Sequence, residues 1–191
     1  PESKRLLEIL LSYYQGPIVL DADALNVISE YGLHSLCQNR KAPTVLTPHP
    51  GEMSRLLKMK KEDIVQDPIA ALRKCVELTH SVVLLKGAAT LLLSPDEVLY
   101  LNHFPNIGMA TAGSGDVLAG MIGGLLAQGV AGFDAAQIGV YLHSLAGGRA
   151  AAKLNPRGMI ATDIIKNIPF AYRELKKKYG EEEEPRMAKL L

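Results

Sequence analysis

The chain has 191 residues, a formal net charge of +1 and 48% hydrophobic residues, enough for one domain with a substantial core. Near-equal acidic and basic counts give no electrostatic footprint for nucleic acid or a membrane surface. No apolar stretch reaches the length of a membrane span, the first residues do not read as a signal peptide, and Cys37 and Cys75 form no metal or redox pattern; the expected setting is cytoplasmic or an organelle matrix, with free thiols.

An amphipathic stretch from Lys4 to Tyr14 reads as a helix. The run Pro17–Leu20 follows and ends in Asp21-Ala-Asp23-Ala-Leu-Asn26. Pro43–Leu46 repeats the pattern and ends in Thr47-Pro-His49-Pro-Gly-Glu52, and Ser81–Leu85 ends in Lys86-Gly87-Ala88-Ala89-Thr90. Helical segments fall between, around 23–30, 51–59 and 67–80. Short continuous apolar runs alternating with helices indicate buried parallel strands, so the fold class is α/β. Ala89–Leu93 and Val98–Leu101, joined by Ser-Pro-Asp-Glu, read as an antiparallel hairpin. Beyond residue 113 the pattern is all helix, at 114–128, 133–153 and 162–178, and Glu181–Glu184 begins a solvated polar tail over 181–191. No repeat or linker divides residues 1–180.

Three strands ending in polar clusters matter because ligands of open α/β sheets bind outside the carboxyl edge. Asp23, Asn26, His49, Glu52, Lys86 and Thr90 are therefore expected to converge on one rim with Asp116. Asp116 sits in Gly108-Met-Ala-Thr-Ala-Gly113-Ser-Gly115-Asp116-Val-Leu-Ala-Gly120, a glycine-rich loop opening a helix. Gly113 and Gly115 admit a ligand close to the backbone, and the first amides of such a helix favour an anion. A carboxylate there is odd for a plain phosphate clamp. It makes sense if Asp116 faces an incoming hydroxyl while the amides hold a phosphoryl group. The bland alternative is a tight turn with Asp116 as a cap. Neither the Walker loop nor the dinucleotide fingerprint fits, since Ser114 and Leu118 stand where Lys and Gly are required.

Taken together, Asp21–Asn26, Leu46–Glu52, Leu85–Thr90 and Gly108–Gly120 strongly resemble the ADP-dependent NAD(P)H-hydrate dehydratases of the ribokinase-like superfamily, over residues 16–169. The resemblance implies a three-layer sandwich with a mainly parallel sheet, from which the family's amino-terminal strands are missing in this chain. It implies nicotinamide cofactor repair, with ADP (or ATP) used to remove water from the S epimer of hydrated NADH or NADPH, leaving AMP and phosphate. Asp116 resembles the superfamily's base. His49 matches the position that contacts the hydrated dinucleotide, and Asn106 is a further substrate candidate. Lys86, Gly87, Ala88, Ala89 and Thr90, with Gly113 and Gly115, match the adenine-nucleotide site. Asp21 and Asp23 are candidates to orient His49 or a hydrated magnesium ion; Mg2+ is expected from the needs of phosphoryl transfer, without a dedicated protein metal site. His143 and Arg149 read as packing or surface residues. The missing segment is expected as a separate or cleaved chain. A homo-oligomer, tetrameric as relatives often are, is expected too, with small-residue helices such as 135–152 permitting close packing. Two other readings stay open: a small-molecule kinase acting on a vitamin-precursor alcohol, and a catalytically incomplete subunit.

Overall fold

The apolar runs form the centre of the molecule, described by a computed structural model over residues 2–179; the 181–191 tail lies outside the described residues. Strands β1 (Ile18–Leu20), β2 (Thr44–Leu46) and β3 (Val82–Leu85) pair in parallel, with Val19 opposite Val45 and Val45 opposite Val82. β4 (Ala89–Leu93) and β5 (Leu99–His103) then add antiparallel as the expected hairpin, giving the order β1-β2-β3-β4-β5.

Successive side chains point to opposite faces of a strand, so one run supplies two cores. Leu20, Leu46, Val83, Leu85 and Leu93 face a layer built from α1 (Glu2–Tyr13), α2 (Asp23–Tyr31), α3 (His34–Gln38), α4 (Pro50–Leu57), α5 (Lys61–Gln66) and α6 (Pro68–Thr79). Val45, Val82, Leu84 and Leu92 face α7 (Ser114–Ala127) and α8 (Gly132–Leu154), and α9 (Ala161–Tyr179) packs outside α8. The result is the expected three-layer sandwich. Cys37 and Cys75 are free and buried in the first core, where burial pushes both thiols up to about 12.

Local chemistry sets the boundaries. Asp67 Oδ1 accepts from Ala70 N at 2.9 Å ahead of Pro68, starting α6. Gly32, at φ 68°, ends α2 in the left-handed conformation that glycine tolerates. α3 and α5 were not expected from sequence. With five and six residues they are too short to display a helical period.

One face of α8 fixes the second layer. A methyl at Gly139 would lie 2.7 Å from Ile122 Cγ1 of α7, and one at Gly147 would overlap Met109 Sδ of the short 3-10 turn Ile107–Ala110. Only hydrogen in place of a side chain permits these approaches.

Candidate functional site

Because β1, β2 and β3 run parallel, their carboxyl ends deliver Asp21, the Thr47–His49 loop and Lys86 to the same rim. β4 starts there, and the amino terminus of α7 closes the opening. Asp21, His49, Lys86, Gly87, Ala88, Thr90, Gly113, Gly115 and Asp116 line one cleft of about 460 Å³. These include most of the residues expected at a shared site.

The start of α7 presents open amides of the kind that favour an anion. Gly113 occupies the capping position at φ 82°, where it offers no side chain to the helix. Among the described residues no acceptor meets the amides of Gly115 and Asp116, so both donors remain available at the positive end of the helix dipole. Lys86 lies across from them. A methyl on Gly115 would sit 3.6 Å from Lys86 Nζ and 3.6 Å from Asp21 Oδ2. The Asp116 side chain is exposed and, among the described residues, engaged by no hydrogen bond or ion pair.

Lys86 is already held. Its Nζ donates to Asp21 Oδ1 at 2.6 Å and stands 3.8 Å from Glu52 Oε2, while its main-chain N–H donates to Pro48 O at 2.8 Å. Glu52, buried, also accepts from the main-chain N–H of His49 at 2.8 Å. In return His49 Nδ1 accepts from the amides of Gly51 and Glu52 at 3.0 and 3.2 Å. His49 and Glu52 thus form a capping box on α4, with Pro50 in its first turn. Accepting through Nδ1 leaves the proton on Nε2, which faces Glu52 Oε1 at 3.5 Å, while the His49 side chain as a whole is half-exposed.

Several expected members stand elsewhere. Asn106 spends its amide on the backbone: Oδ1 accepts from Gly108 N at 3.0 Å and Nδ2 donates to Gly147 O at 3.1 Å, so it shapes the 3-10 turn and does not line the cleft. Ala89 begins β4 without lining the cleft either. Asp23 is exposed in the first turn of α2, and Asn26 Oδ1 accepts from Arg55 Nε at 2.8 Å. Asp21 pairs with Lys86 and does not orient His49. Among the described residues no three His, Cys, Asp or Glu side chains are grouped to hold a metal ion.

The far wall was not legible in the sequence. Asn102, buried, donates through Nδ2 to Ser144 Oγ at 2.8 Å, and Tyr100 Oη donates to Asn102 Oδ1 at 3.3 Å. His143, read from sequence as packing or surface, is buried yet lines the cleft, 3.4 Å from Ser114 Oγ. Burial pushes its imidazole down to about 4, against a smaller opposing contribution from the Ser114 main chain. Nothing local marks it: Leu142 and Ser144 flank it in a helix rich in alanine and glycine, and only the crossing of α8 over α7 brings it inward. Arg149 stays near the surface, 3.5 Å from Glu174 and over the Phe170 ring.

A second, apolar groove of about 590 Å³ between α7 and α9 is lined by Val117, Gly120, Met121, Ala161, Ile165 and Ile168. It shares Gly113 and Asp116 with the first cleft, so the exposed carboxylate borders both.

Comparison with known proteins places the chain among named relatives. The family model described as NAD(P)H-hydrate dehydratase matches residues 1–170. The chain is 43% identical over 175 residues to the bifunctional NAD(P)H-hydrate repair enzyme Nnr of Moorella thermoacetica, covering 92% of this chain and 33% of that enzyme. It is 47% identical over 145 residues to the ADP-dependent (S)-NAD(P)H-hydrate dehydratase of Neisseria meningitidis serogroup B, covering 74% and 48%. The crystal structure of the Bacillus subtilis ADP/ATP-dependent NAD(P)H-hydrate dehydratase, co-crystallized with ATP/Mg2+, superposes with a TM-score of 0.73 at 26% identity, covering 84% of this chain and 55% of that one. The chain spans between a third and just over half of these relatives. On its sequence and its fold, the chain belongs to the NAD(P)H-hydrate dehydratase family.

Proposed function

We propose that this chain carries the phosphoryl-transfer half of an ADP-dependent repair reaction that dehydrates the S epimer of hydrated NADH or NADPH. The observation that carries the reading is the pairing of an unengaged carboxylate, Asp116, with the partnerless amides of Gly115 and Asp116, across from Lys86. Hydroxide is a poor leaving group and phosphate a good one. The ring hydroxyl attacks the terminal phosphorus of ADP, Asp116 takes the hydroxyl proton, and AMP departs. Breakage of the carbon–oxygen bond then expels phosphate as the ring nitrogen supplies its electron pair. Loss of a proton from the adjacent carbon restores the double bond.

Lys86 neutralises phosphate charge in this scheme, and the two amides hold the transferring group where charge accumulates. His49, half-exposed and lining the cleft, offers its ring to the hydrated dinucleotide. A magnesium ion suits the site as cargo of the nucleotide: among the described residues Asp21 and Asp116 are the carboxylates that line the cleft, and water and phosphate oxygens would complete its shell. Bound there, it would spread charge on the phosphates.

The test is an assay of freshly hydrated NADPH with ADP, ATP or neither, following the near-ultraviolet absorbance of the reduced ring. Absorbance returns with nucleotide only, and Asp116→Asn lowers turnover about a hundredfold or more. Recovery at full rate in that variant refutes the assignment of the base. Accumulation of a stable phosphorylated alcohol identifies a kinase of the same fold.

A further inference from the structure

Ser114 opens α7, and α8 passes directly behind it. Ser114 is 6% exposed and His143 8%, yet both line the cleft, with Ser114 Oγ 3.4 Å from His143 Nε2. A serine at a helix start ordinarily caps that helix, but Gly113 holds the capping position here. Among the described residues Ser114 Oγ bonds none of the helix amides, and His143 is its hydrogen-bond partner. A hydroxyl has one proton to donate, so an imidazole that donates to it leaves that proton for a partner on the other side.

We propose that Ser114 is a phosphate ligand of the anion seat and that His143 is the positioning residue that turns its hydroxyl proton toward the phosphoryl group. This rests on the nucleotide reading above. The imidazole carries its proton on Nε2 and donates to Ser114 Oγ. The Ser114 hydroxyl then donates to a phosphate oxygen beside the amides of Gly115 and Asp116. With the reverse polarity, Ser114 would present only lone pairs to an anion. No carboxylate bonds the His143 ring among the described residues, so nothing there orients it as the base of a nucleophilic serine. Buried where α8 crosses α7, the ring in this tautomer serves as a donor to the serine hydroxyl.

The test is calorimetric titration of the 191-residue chain with ADP and with adenosine, without hydrated nicotinamide. Ser114→Ala weakens ADP about ten- to a hundredfold, the range for a hydrogen bond to a charged acceptor, and leaves adenosine unchanged. His143→Gln sets an amide N–H where Nε2–H stood and keeps ADP within a few-fold of the parent. His143→Asn, equally polar but too short to reach, behaves like Ser114→Ala. The double variant Ser114→Ala/His143→Asn is no weaker than either single one. Unchanged ADP affinity in Ser114→Ala overturns the proposal, as does an equal loss for adenosine. Equal affinities in the Gln and Asn variants, or additive losses in the double one, overturn the part assigned to His143. A parent chain that binds no ADP overturns the nucleotide reading together with this one.

Discussion

Lys86 Nζ lies 2.6 Å from Asp21 Oδ1, so the lysine facing the amino terminus of α7 is already paired at the ends of β3 and β1. Both side chains are largely shielded, which makes the pair consequential when one member is removed. Lys86→Met leaves Asp21 as an unbalanced negative charge beside the site of an anion. ADP affinity in that variant falls about ten- to a hundredfold. Asp21→Asn/Lys86→Met recovers part of the loss, because the isolated carboxylate is gone. Calorimetry on the two variants decides the matter: parent-like affinity in Lys86→Met removes the lysine from the nucleotide site.

His49 has two separable duties. Its ring caps α4 through Nδ1 with Nε2 facing Glu52 Oε1, and the rest of the half-exposed ring is left for a ligand. Asparagine is among the best capping residues, whereas alanine loses about 1 kcal/mol. His49→Ala therefore lowers the unfolding midpoint by roughly 2–4 °C, and His49→Asn leaves it nearly unchanged. Both variants raise the KM for hydrated NADPH. A parent-like KM in His49→Asn would show that the histidine is a cap and nothing more.

His143 makes stability depend on pH in a defined window. The unfolded imidazole titrates at its ordinary 6.5, and the buried one not until about 4. The native state thus binds fewer protons between those values. The contribution is complete above pH 6.5 and is lost as pH falls toward 4, to a total of roughly 3 kcal/mol. Denaturant titrations at pH 7.5 and pH 5 measure it. His143→Gln loses less stability over that interval than the parent; parallel declines in the two would place the ring in water.

Gly139→Ala inserts a methyl 2.7 Å from Ile122 Cγ1 in a filled core. Overpacking of this kind costs about 1–3 kcal/mol, which lowers the unfolding midpoint by roughly 2–12 °C. Thermal unfolding checks it. An unchanged midpoint would mean that α7 and α8 separate easily.

The residues differ in how readable they were. β1, β2 and β3 were visible because strands buried on both faces are continuous apolar runs, and their polar ends marked the rim that holds Asp21, His49 and Lys86. Asp116 and the glycines were visible because an anion seat needs a bare backbone before a helix. Asn106 was misjudged because proximity in sequence to that loop says nothing of where an amide spends its hydrogen bonds. Asn102, Ser144 and His143 were missed for the opposite reason. Each reaches the cleft through a long-range crossing, and in a helix of small residues an inward-facing polar side chain has no local signature.

The glycine contacts of α8 have a consequence for the cleft itself. Residues 139, 143 and 147 are spaced four apart and so fall on one stripe of the helix, meeting Ile122, Ser114 and Met109 in turn. Two of the three have no side chain and act as notches, which leaves this 23-residue rod a single azimuth about its own axis. The aim of the imidazole is therefore set by atoms a full turn above and below it. Filling the notch at Gly139 would push against Ile122 beneath the cleft, and filling the one at Gly147 would displace Met109, which lines the cleft.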